Sequence, residues 1–422
     1  MKRTKGAISS RLSLISAVFV HASVEIPFFI FPVIIIVVGE DPILFNGIES
    51  YKWIILGLIG SISSLSIALP SPLFGWLADR HRKGSLMAFS LIISAIGSFI
   101  VGLFSTSIFT FLIGTVLTGV GVSLYHPPGL TWVSNAYENP ATHSYSQKFS
   151  GALGIHGMGG TFGAAIAPMS VYLLIETFNW RQIYFFWSIP LVLFALIFWV
   201  LIGRFEPPVE NSSIVPELHT SSTNEKSNNR SNGTILFSFL SFLIAMALII
   251  GMINFILSPF LSEVKNLRIS EAAFFLGLST FLGAFGQLIG GVLGDKYGEK
   301  ATLLFSTSLL TICLVSIYII SNYLVLLILY IFLLMSFAIF WPISSSFLAK
   351  LSSHRGAAFG WFLMIANIIR SFGPGLDGLL ISVDPQQYFL IFLVSVFLSF
   401  GALISALFFK TGENRISPVQ IE

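Results

Sequence analysis

The sequence predicts an all-α membrane protein with twelve transmembrane helices arranged as two six-helix bundles. Of its 422 residues, 55% are hydrophobic and only 10% are charged, whereas an ordinary soluble domain carries about 25% charged residues. The apolar residues form continuous runs, and about 20 apolar residues are enough to span a bilayer as a helix. A polar segment at residues 204–233 divides these runs into two sets of six.

This composition excludes several classes of protein. An ordinary soluble enzyme could not cover its surface with so few charges, and 42 phenylalanines exclude a disordered chain. No basic face interleaved with aromatic residues is present, so nucleic acid is not an expected partner. The single cysteine, Cys313, lies in an apolar run and cannot form an intrachain disulfide. We expect no cofactor, no metal site and no enzymatic activity.

The apolar runs between polar segments give the positions of the twelve predicted helices. They lie near residues 12–38, 51–74, 86–104, 107–127, 149–175, 183–203, 235–260, 272–292, 301–319, 323–348, 357–382 and 387–409. The first run follows a basic N-terminus like that of a signal peptide. However, it is too long and contains His21 and Glu25, so we interpret it as a retained first span.

The predicted domains are an N-terminal bundle over residues 1–203 and a C-terminal bundle with a short tail over residues 234–422. Residues 204–233 are rich in Ser, Asn and Pro and cannot bury a core, which predicts a flexible cytoplasmic linker. With both termini inside, the inner segments hold 17 basic residues. The outer loops hold only Lys52, Arg181, Lys265 and Arg268. This bias predicts a multi-pass protein of the cell membrane with cytoplasmic termini.

A six-residue pattern occurs twice, after span two and after span eight. Both copies fit G-x-L-(A/G)-D-(R/K), in loops at corresponding positions of the two halves. A glycine there lets two helices approach closely, and the acid and base can form charge pairs or cap a helix. The candidate gating residues are Gly75, Asp79, Arg80, Gly291, Asp295 and Lys296.

On these residues the whole chain resembles the major facilitator superfamily. The resemblance implies two pseudo-symmetric six-helix bundles that alternate access to a central site. It also implies that Asp79 and Asp295 lock the halves together in one state of the transport cycle. The first copy has Arg82 where the family usually has glycine, whereas the second copy keeps Gly298.

Span five is dense in small residues, which makes a thin helix face suited to close packing and rocking. Its sequence resembles the antiporter signature G-x-x-x-G-P of exporter subfamilies, with Ala167 in place of the second glycine. The candidate hinge residues of this span are Gly159, Gly163 and Pro168. The alternative is a packing interface with no bearing on transport direction.

Span four departs from the proton-coupled drug exporters that carry an arginine there, because Thr115 occupies the matching position. Three features resemble the fosmidomycin-resistance branch. They are the His126-Pro127 step of span four, the His21-x-x-x-Glu25 pattern and the glycine-rich fifth span. That resemblance implies export of drugs or small organic anions. Pro128 stands where the branch usually has an acid.

Ionisable residues within spans are functional candidates, because a charge at the bilayer centre costs about 2.5–3.5 kcal/mol. His21 and Glu25 are four residues apart on one helix face and can form a hydrogen bond. An imidazole beside a carboxylate titrates as a pair, which suits a proton relay. The alternative is a neutral pair that only orients span one.

Arg370 and Asp377 lie two helical turns apart on one face of span eleven, around Gly373 and Pro374. Because Pro374 cannot donate to the carbonyl of Arg370, we expect a break or kink and place a second hinge here. Arg370 could bind an anionic substrate, or it could pair with Asp377 or Glu25. A static ion pair is the structural alternative.

Other polar and aromatic residues are candidates for the substrate cavity. They are Tyr125, His126, His156, Asn254, Trp341 and Asn367. For His126, placed near the inner end of span four, we also keep the interpretation that it only reaches toward water.

The predicted function is proton-coupled export of a small organic compound, with His21 and Glu25 carrying the proton. We expect a monomer whose partners are its substrate, protons and the bilayer. One alternative is an importer or uniporter of a metabolite such as a carboxylate or sugar. A second is a transporter-like receptor or a lipid-handling protein. No nucleophile elbow, metal-ligand cluster or phosphate-binding glycine loop favours an enzyme.

Overall fold

The structure, a computed structural model, describes residues 9–139, 144–145, 149–202, 225–351, 355–384 and 388–408. Helices dominate this part of the chain, and β1 (Glu138–Asn139) and β2 (Ser144–Tyr145) form a short antiparallel ribbon. A helix satisfies its backbone hydrogen bonds internally, which is what a span through hydrocarbon requires.

The helices of the N-terminal half are α1 (Ser10–Gly39), α2 (Pro42–Phe45), α3 (Lys52–Ala68), α4 (Ser71–Arg80), α5 (Lys83–Phe104), α6 (Ile108–Ala136), α7 (Phe149–Leu174) and α8 (Trp180–Leu201). The helices of the C-terminal half are α9 (Glu225–Pro259), α10 (Ile269–Gly283), α11 (Phe285–Tyr297), α12 (Glu299–Ile319), α13 (Tyr323–Leu351), α14 (Arg355–Val383) and α15 (Tyr388–Phe408). A π-helical turn (Phe260–Val264) follows α9.

In the described residues, twelve helices are long and apolar enough to cross a membrane, six in each half. This confirms the predicted all-α class with twelve transmembrane helices. Large apolar side chains such as Phe397, Phe109 and Leu173 are exposed on the outer faces. Small residues such as Ser90, Ser94 and Ser399 are buried between helices, which lets the backbones approach closely.

Spans two and eight are each built from two consecutive helices, and they occupy corresponding positions in the two halves. The first divides at Leu69–Pro70, between α3 and α4, and the second at Ala284, between α10 and α11. The segments that we predicted as loops, from Gly75 and from Gly291, are therefore the last turns of α4 and α11. Pro at the second position of α4 suits a helix start, since its missing N–H is not needed there.

Three helices differ from what the sequence predicts. Helix α9 begins at Glu225, inside the segment predicted as linker, and residues 203–224 lie outside the described part of the structure. Helix α6 continues through Pro127 and Pro128 to Ala136, so His126 lies well inside the helix and not at its end. Helix α14 runs unbroken through Pro374, and Gly251 of α9 packs directly against the carbonyl of Arg370.

The two halves contact each other at both ends of the molecule, which we name the Asp79 end and the Asp41 end. At the Asp79 end, Gly75 of α4 packs against the backbone of Gly356 in α14. At the Asp41 end, the hydroxyl of Ser258 in α9 donates to the carbonyl of Val33 in α1 at 2.7 Å. Between these contacts the halves enclose a central cavity.

Candidate transport site

The central cavity has a volume of about 250 Å³ and lies between the halves. Helices α1, α6 and α7 supply its N-terminal wall, and α9, α11, α13 and α14 supply most of the other. Most of the lining is apolar, with a few convergent polar groups, which is typical of a small-molecule site. The predicted site residues on its wall are His21, Glu25, His126, His156, Asn254, Trp341, Asn367 and Arg370.

An acid–imidazole cluster stands on the N-terminal wall. One carboxylate oxygen of Glu25, Oε1, lies 3.5 Å from Nε2 of His21 and 3.4 Å from Nε2 of His126. The side chains of His21 and Glu25 are each 8% exposed. The predicted contact of His21 with Glu25 is therefore present, and His126 joins it from α6. These three side-chain atoms lie within 4.8 Å of one another.

Backbone carbonyls fix which nitrogen of each histidine faces the acid. Nδ1 of His21 lies 3.0 Å from the carbonyl of His156, and Nδ1 of His126 lies 3.0 Å from the carbonyl of Val122. Because a carbonyl oxygen only accepts, each Nδ1 must carry its hydrogen. Each imidazole therefore directs Nε2 at the Glu25 carboxylate.

A second layer of contacts positions His21. The ring of His21 stacks on that of His156, with centroids 4.7 Å apart. Nε2 of His156 lies 2.8 Å from the Tyr125 hydroxyl, which itself donates to the carbonyl of Ala17 at 2.7 Å. A Cβ added to Gly160 would meet the His21 ring directly. The glycines of α7 therefore make room for the imidazole.

Tyr125 differs from its prediction as a cavity-lining residue. It is fully buried behind His21 and His156 and does not reach the cavity. Its large ring fills the space beside Gly129, one helical turn along α6. Its hydroxyl joins the hydrogen bonds that fix His156, so it supports the site from behind.

Arg370 and Asp377 do not form an ion pair in the described structure. Arg370 lines the central cavity, where it interacts electrostatically with Glu25. Asp377 is 0% exposed, does not line the cavity, and has no hydrogen-bond partner among the described residues. The two residues lie on the same helix, but only Arg370 lines the central cavity.

The first predicted gate joins the halves at the Asp79 end. The two carboxylate oxygens of Asp79 accept hydrogen bonds from the backbone N–H groups of Gly356 and Ala357, each at 3.0 Å. These groups are in the first turn of α14, where a negative charge also interacts favourably with the helix dipole. The neighbouring Arg80 instead lies over the ring of Trp76, 4.3 Å from its centroid.

The second predicted gate is only partly described. Gly291, Asp295 and Lys296 all lie in α11, but the side chain of Asp295 is outside the described part of the structure. The Lys296 ammonium lies 5.0 Å from the ring centroid of Tyr297. The equivalence of Asp295 with Asp79 stays a prediction.

The predicted hinge glycines are points of close helix packing. Gly159 and Gly163 of α7 lie against the backbone of α1 at Val18 and Ala22, and Gly373 of α14 lies against Gly251 of α9. Pro168 lines the central cavity, and Pro374 packs on Gly57 and Gly60 of α3. Their movement in transport stays a prediction.

Several polar residues of the site were not among those predicted from the sequence. Gln287 of α11 lines the cavity and its amide donates to Thr161 of α7 at 3.4 Å, across the two halves. Ser63 and Tyr184 border a smaller cavity beside Arg370. Gln287 could have been found as a polar residue within an apolar span. Serines and tyrosines are too common in such spans to have indicated a site.

Asp41 is a charged group outside the spans that the structure explains well. The guanidinium of Arg181 and the indole N–H of Trp180 both donate to its carboxylate. Burial by itself raises the pKa of Asp41, but the hydrogen bonds and charge of Arg181, with the bond from Trp180, hold that pKa below its ordinary 3.8. Arg181 also donates to the carbonyl of Ser105, so the cluster joins three helix ends of the N-terminal half.

Comparison with known proteins agrees with this architecture. The family model described as Major Facilitator Superfamily matches residues 13–337 and 239–420. The chain belongs to the Major Facilitator Superfamily. It is thus a membrane transporter and not an enzyme.

Two curated relatives illustrate the similarity. "Multidrug resistance protein MdtG" of Escherichia coli strain SMS-3-5 / SECEC is 29% identical over 264 residues, covering 60% of each chain. The protein of the same name from Escherichia coli strain SE11 is 28% identical over the same length and coverage. The matched region thus spans about 60% of the length of these relatives.

A solved structure shows the same fold. It is described as a bacterial homologue of the human lysosomal transporter Spinster, in an inward-facing and unoccupied conformation. It aligns with a TM-score of 0.64 and 17% identity, covering 95% of this chain and 94% of that one. At this identity the similarity concerns the fold alone.

Proposed function

We propose that this transporter exports a small organic compound in exchange for protons. The observation that carries the proposal is the contact of the Glu25 carboxylate with two imidazoles on the wall of the central cavity. Both imidazoles direct Nε2 at the acid, because their Nδ1 hydrogens are engaged by backbone carbonyls. A proton binds at this junction, and its arrival or departure changes the charge of the cavity wall.

The proton site is defined by the groups that face Glu25. His21 lies on the same helix, His126 faces it from α6, and Tyr125 and Arg370 interact with it electrostatically from α6 and α14. When Glu25 is charged it attracts Arg370 across the halves. Protonation removes that attraction, so the protonated and deprotonated proteins favour different arrangements of the halves.

Export is the direction we propose, with the Asp79 end and both termini in the cytoplasm and the protein in the cell membrane. The excess of basic residues on the segments of the Asp79 end supports this orientation. The relatives whose names refer to multidrug resistance and the glycine-rich α7 support the direction. The motifs of α1, α6 and α7 support a position within the family near the fosmidomycin-resistance branch. We propose a monomer as the working unit.

Inside-out membrane vesicles containing the protein test this proposal. Respiration acidifies their lumen, and acridine orange reports the pH gradient, which a proton-coupled exporter dissipates when its substrate is added. We expect a response to at least one of ethidium, tetracycline and phenylphosphonate. The response should be absent in Glu25→Gln and unchanged by a chelator. No response to any of the three compounds, or an undiminished response in Glu25→Gln, would contradict the proposal.

A further inference from the structure

A second, smaller cavity lies beside the central one. Its volume is about 40 Å³, and it is bordered by Ser63, Thr115, Tyr184, Asn254, Arg370 and Pro374. Since a water molecule needs roughly 10–15 Å³ measured in this way, the cavity holds about three water-sized groups. That is the size of a carboxylate, phosphonate or sulfonate group. Both halves contribute to its wall.

Arg370 gives this cavity its charge. Its guanidinium borders both cavities and makes no hydrogen bond or ion pair with any residue in the described ranges. The nearest acid with which it interacts, Glu25, is already in contact with two histidines. A guanidinium carries five N–H donors in a planar fork suited to oxyanions. A partly buried arginine that lines two cavities and has no acceptor among the described residues thus points to an anionic ligand.

Two unused hydroxyl donors border the same cavity. The side-chain oxygen of Ser63 is buried with no hydrogen-bond partner, and the hydroxyl hydrogen of Tyr184 has no acceptor among the described residues. The hydroxyl of Thr115 differs, because it donates to the carbonyl of Leu112 in its own helix. Buried polar groups are normally satisfied. Ser63, Tyr184 and Arg370 can therefore all donate to one bound acceptor.

The two cavities share a wall, so one molecule can occupy both. Phe28, Pro32, Asn254 and Arg370 border each of them. Beyond this wall the central cavity presents large apolar side chains, among them Phe337 and Trp341. A ligand with an oxyanion at one end and an apolar or aromatic body at the other matches this division.

We propose that the transported compound is an amphiphilic organic anion whose oxyanion headgroup binds in the smaller cavity, to Arg370, Ser63 and Tyr184. Its apolar body lies in the central cavity against Phe337 and Trp341. The inference rests on the proposed export function and names the substrate class. Because the headgroup is held by residues of both halves, its binding brings the halves together around the substrate.

Binding to the purified protein tests this assignment without any proton gradient. Isothermal titration calorimetry would compare phenylphosphonate with the neutral benzamide and with inorganic phosphate. We expect phenylphosphonate to bind at least 10-fold more tightly than either. Arg370→Gln should weaken phenylphosphonate binding about 10- to 100-fold, since a hydrogen bond to a charged group contributes about 1.5–3 kcal/mol. Tyr184→Phe and Ser63→Ala should each weaken it about 3- to 10-fold.

The controls separate this proposal from its alternatives. Ser279→Ala removes a buried hydroxyl of α10 that bonds within its own helix and borders neither cavity, and it should bind phenylphosphonate like the wild type. Coupling retained in Glu25→Gln would count against the export proposal alone, because none of these binding measurements involves a proton gradient.

Three outcomes would overturn the headgroup assignment. Inorganic phosphate binding as tightly as phenylphosphonate would indicate a site for a free anion. Competition by phosphatidic acid in nanodiscs would indicate a lipid headgroup. Wild-type affinity for phenylphosphonate in both Tyr184→Phe and Ser63→Ala would show that these hydroxyls hold no anion, and this result does not depend on the folding of Arg370→Gln.

Discussion

At the scale of single residues, the position of Glu25 depends on the histidines that flank it. The backbone carbonyls of His156 and Val122 determine the tautomers of His21 and His126, and the stacked ring of His156 limits the movement of His21. Such outer contacts are what hold an acid–base site in a productive geometry. Disturbing them should change coupling while leaving the acid itself in place.

Gly160 provides a test of this positioning. In Gly160→Ala the new methyl group would collide with the His21 ring, whereas in Gly151→Ala, on the same helix, it would enter open space. We expect Gly160→Ala to shift the pH dependence of transport and to reduce its rate at least 10-fold. Transport assayed between pH 5.5 and 8.5 checks this. Equal pH profiles for the two variants would show that Gly160 does not position His21.

Asp41 makes a prediction about stability. Asp41→Asn leaves Arg181 without its anionic partner, and we expect a loss of about 1–3 kcal/mol, seen as a lower melting temperature at neutral pH. Because the pKa of Asp41 is lowered by folding, its stabilising effect is present above pH 3.8 and lost as the pH falls through the folded-state pKa. The difference between wild type and variant should therefore shrink in acid.

A matched control for Asp41 is the exposed ion pair at the same end of the molecule. A guanidinium nitrogen of Arg268 lies 2.9 Å from a carboxylate oxygen of Glu271, but the two side chains are 72% and 43% exposed. Arg268→Gln should leave the melting temperature unchanged, because solvent screens such pairs. A loss as large as that of Asp41→Asn would contradict the distinction.

The residues of the site were only partly predictable from sequence. The contact of His21 with Glu25 follows from four-residue spacing on a helix. The approach of His126 does not, because it requires α6 to continue past Pro127 and to pack beside α1. Of the alternatives for Arg370, pairing with Asp377 is not present among the described residues, because helix spacing gives the face of a residue but neighbouring helices determine its partner.

At the scale of elements, the contact of α4 with α14 closes the Asp79 end. Two backbone N–H groups of α14 donate to Asp79, and the backbones of Gly75 and Gly356 touch beside them. The repeated sequence pattern indicated a gate here. It did not show that the segments are helix ends, because glycine-rich polar sequences are typical of loops as well.

Asp79→Asn should favour opening at this end. Losing the charge and one acceptor costs about 0.5–2 kcal/mol, which changes the ratio of closed to open protein about 2- to 30-fold. Spin labels at Arg11→Cys and Tyr297→Cys, in a Cys313→Ala background, would report the distance between the halves. The exposed neighbour His81→Gln should leave the distance distribution unchanged. An unchanged distribution in Asp79→Asn would contradict the gate.

At the scale of the whole molecule, the halves are in contact at both ends of the cavity. The domain bounds around residues 204–233 stay a prediction, but the twelve helices follow from hydrophobic runs, so that part of the architecture was predictable. Which ends of the cavity are closed could not be predicted, because every conformational state of a transporter has the same sequence and nearly the same buried area. The contacts at the Asp41 end include hydrogen bonds and closely packed glycines between the halves.

Cross-linking across the Asp41 end should stop transport. The Ser270 hydroxyl of α10 donates to the Glu176 carboxylate that follows α7, across the two halves. The test uses the double variant Glu176→Cys and Ser270→Cys in the Cys313→Ala background. Joining the two cysteines with a short bis-methanethiosulfonate should block transport until dithiothreitol is added. Lys300→Cys with Leu407→Cys joins two helices of one half and should have no effect. Continued transport in the first cross-linked protein would contradict alternating access at this end.

The role of Glu25 as the proton site is the central claim, and a comparison of two transport modes tests it most directly. Proteoliposomes containing wild type or Glu25→Gln would be assayed for exchange of labelled for unlabelled phenylphosphonate, which needs no net proton movement, and for uptake driven by a pH gradient. We predict that the wild type performs both, whereas Glu25→Gln retains exchange and loses gradient-driven uptake. Gradient-driven uptake by Glu25→Gln at the wild-type rate would contradict the claim.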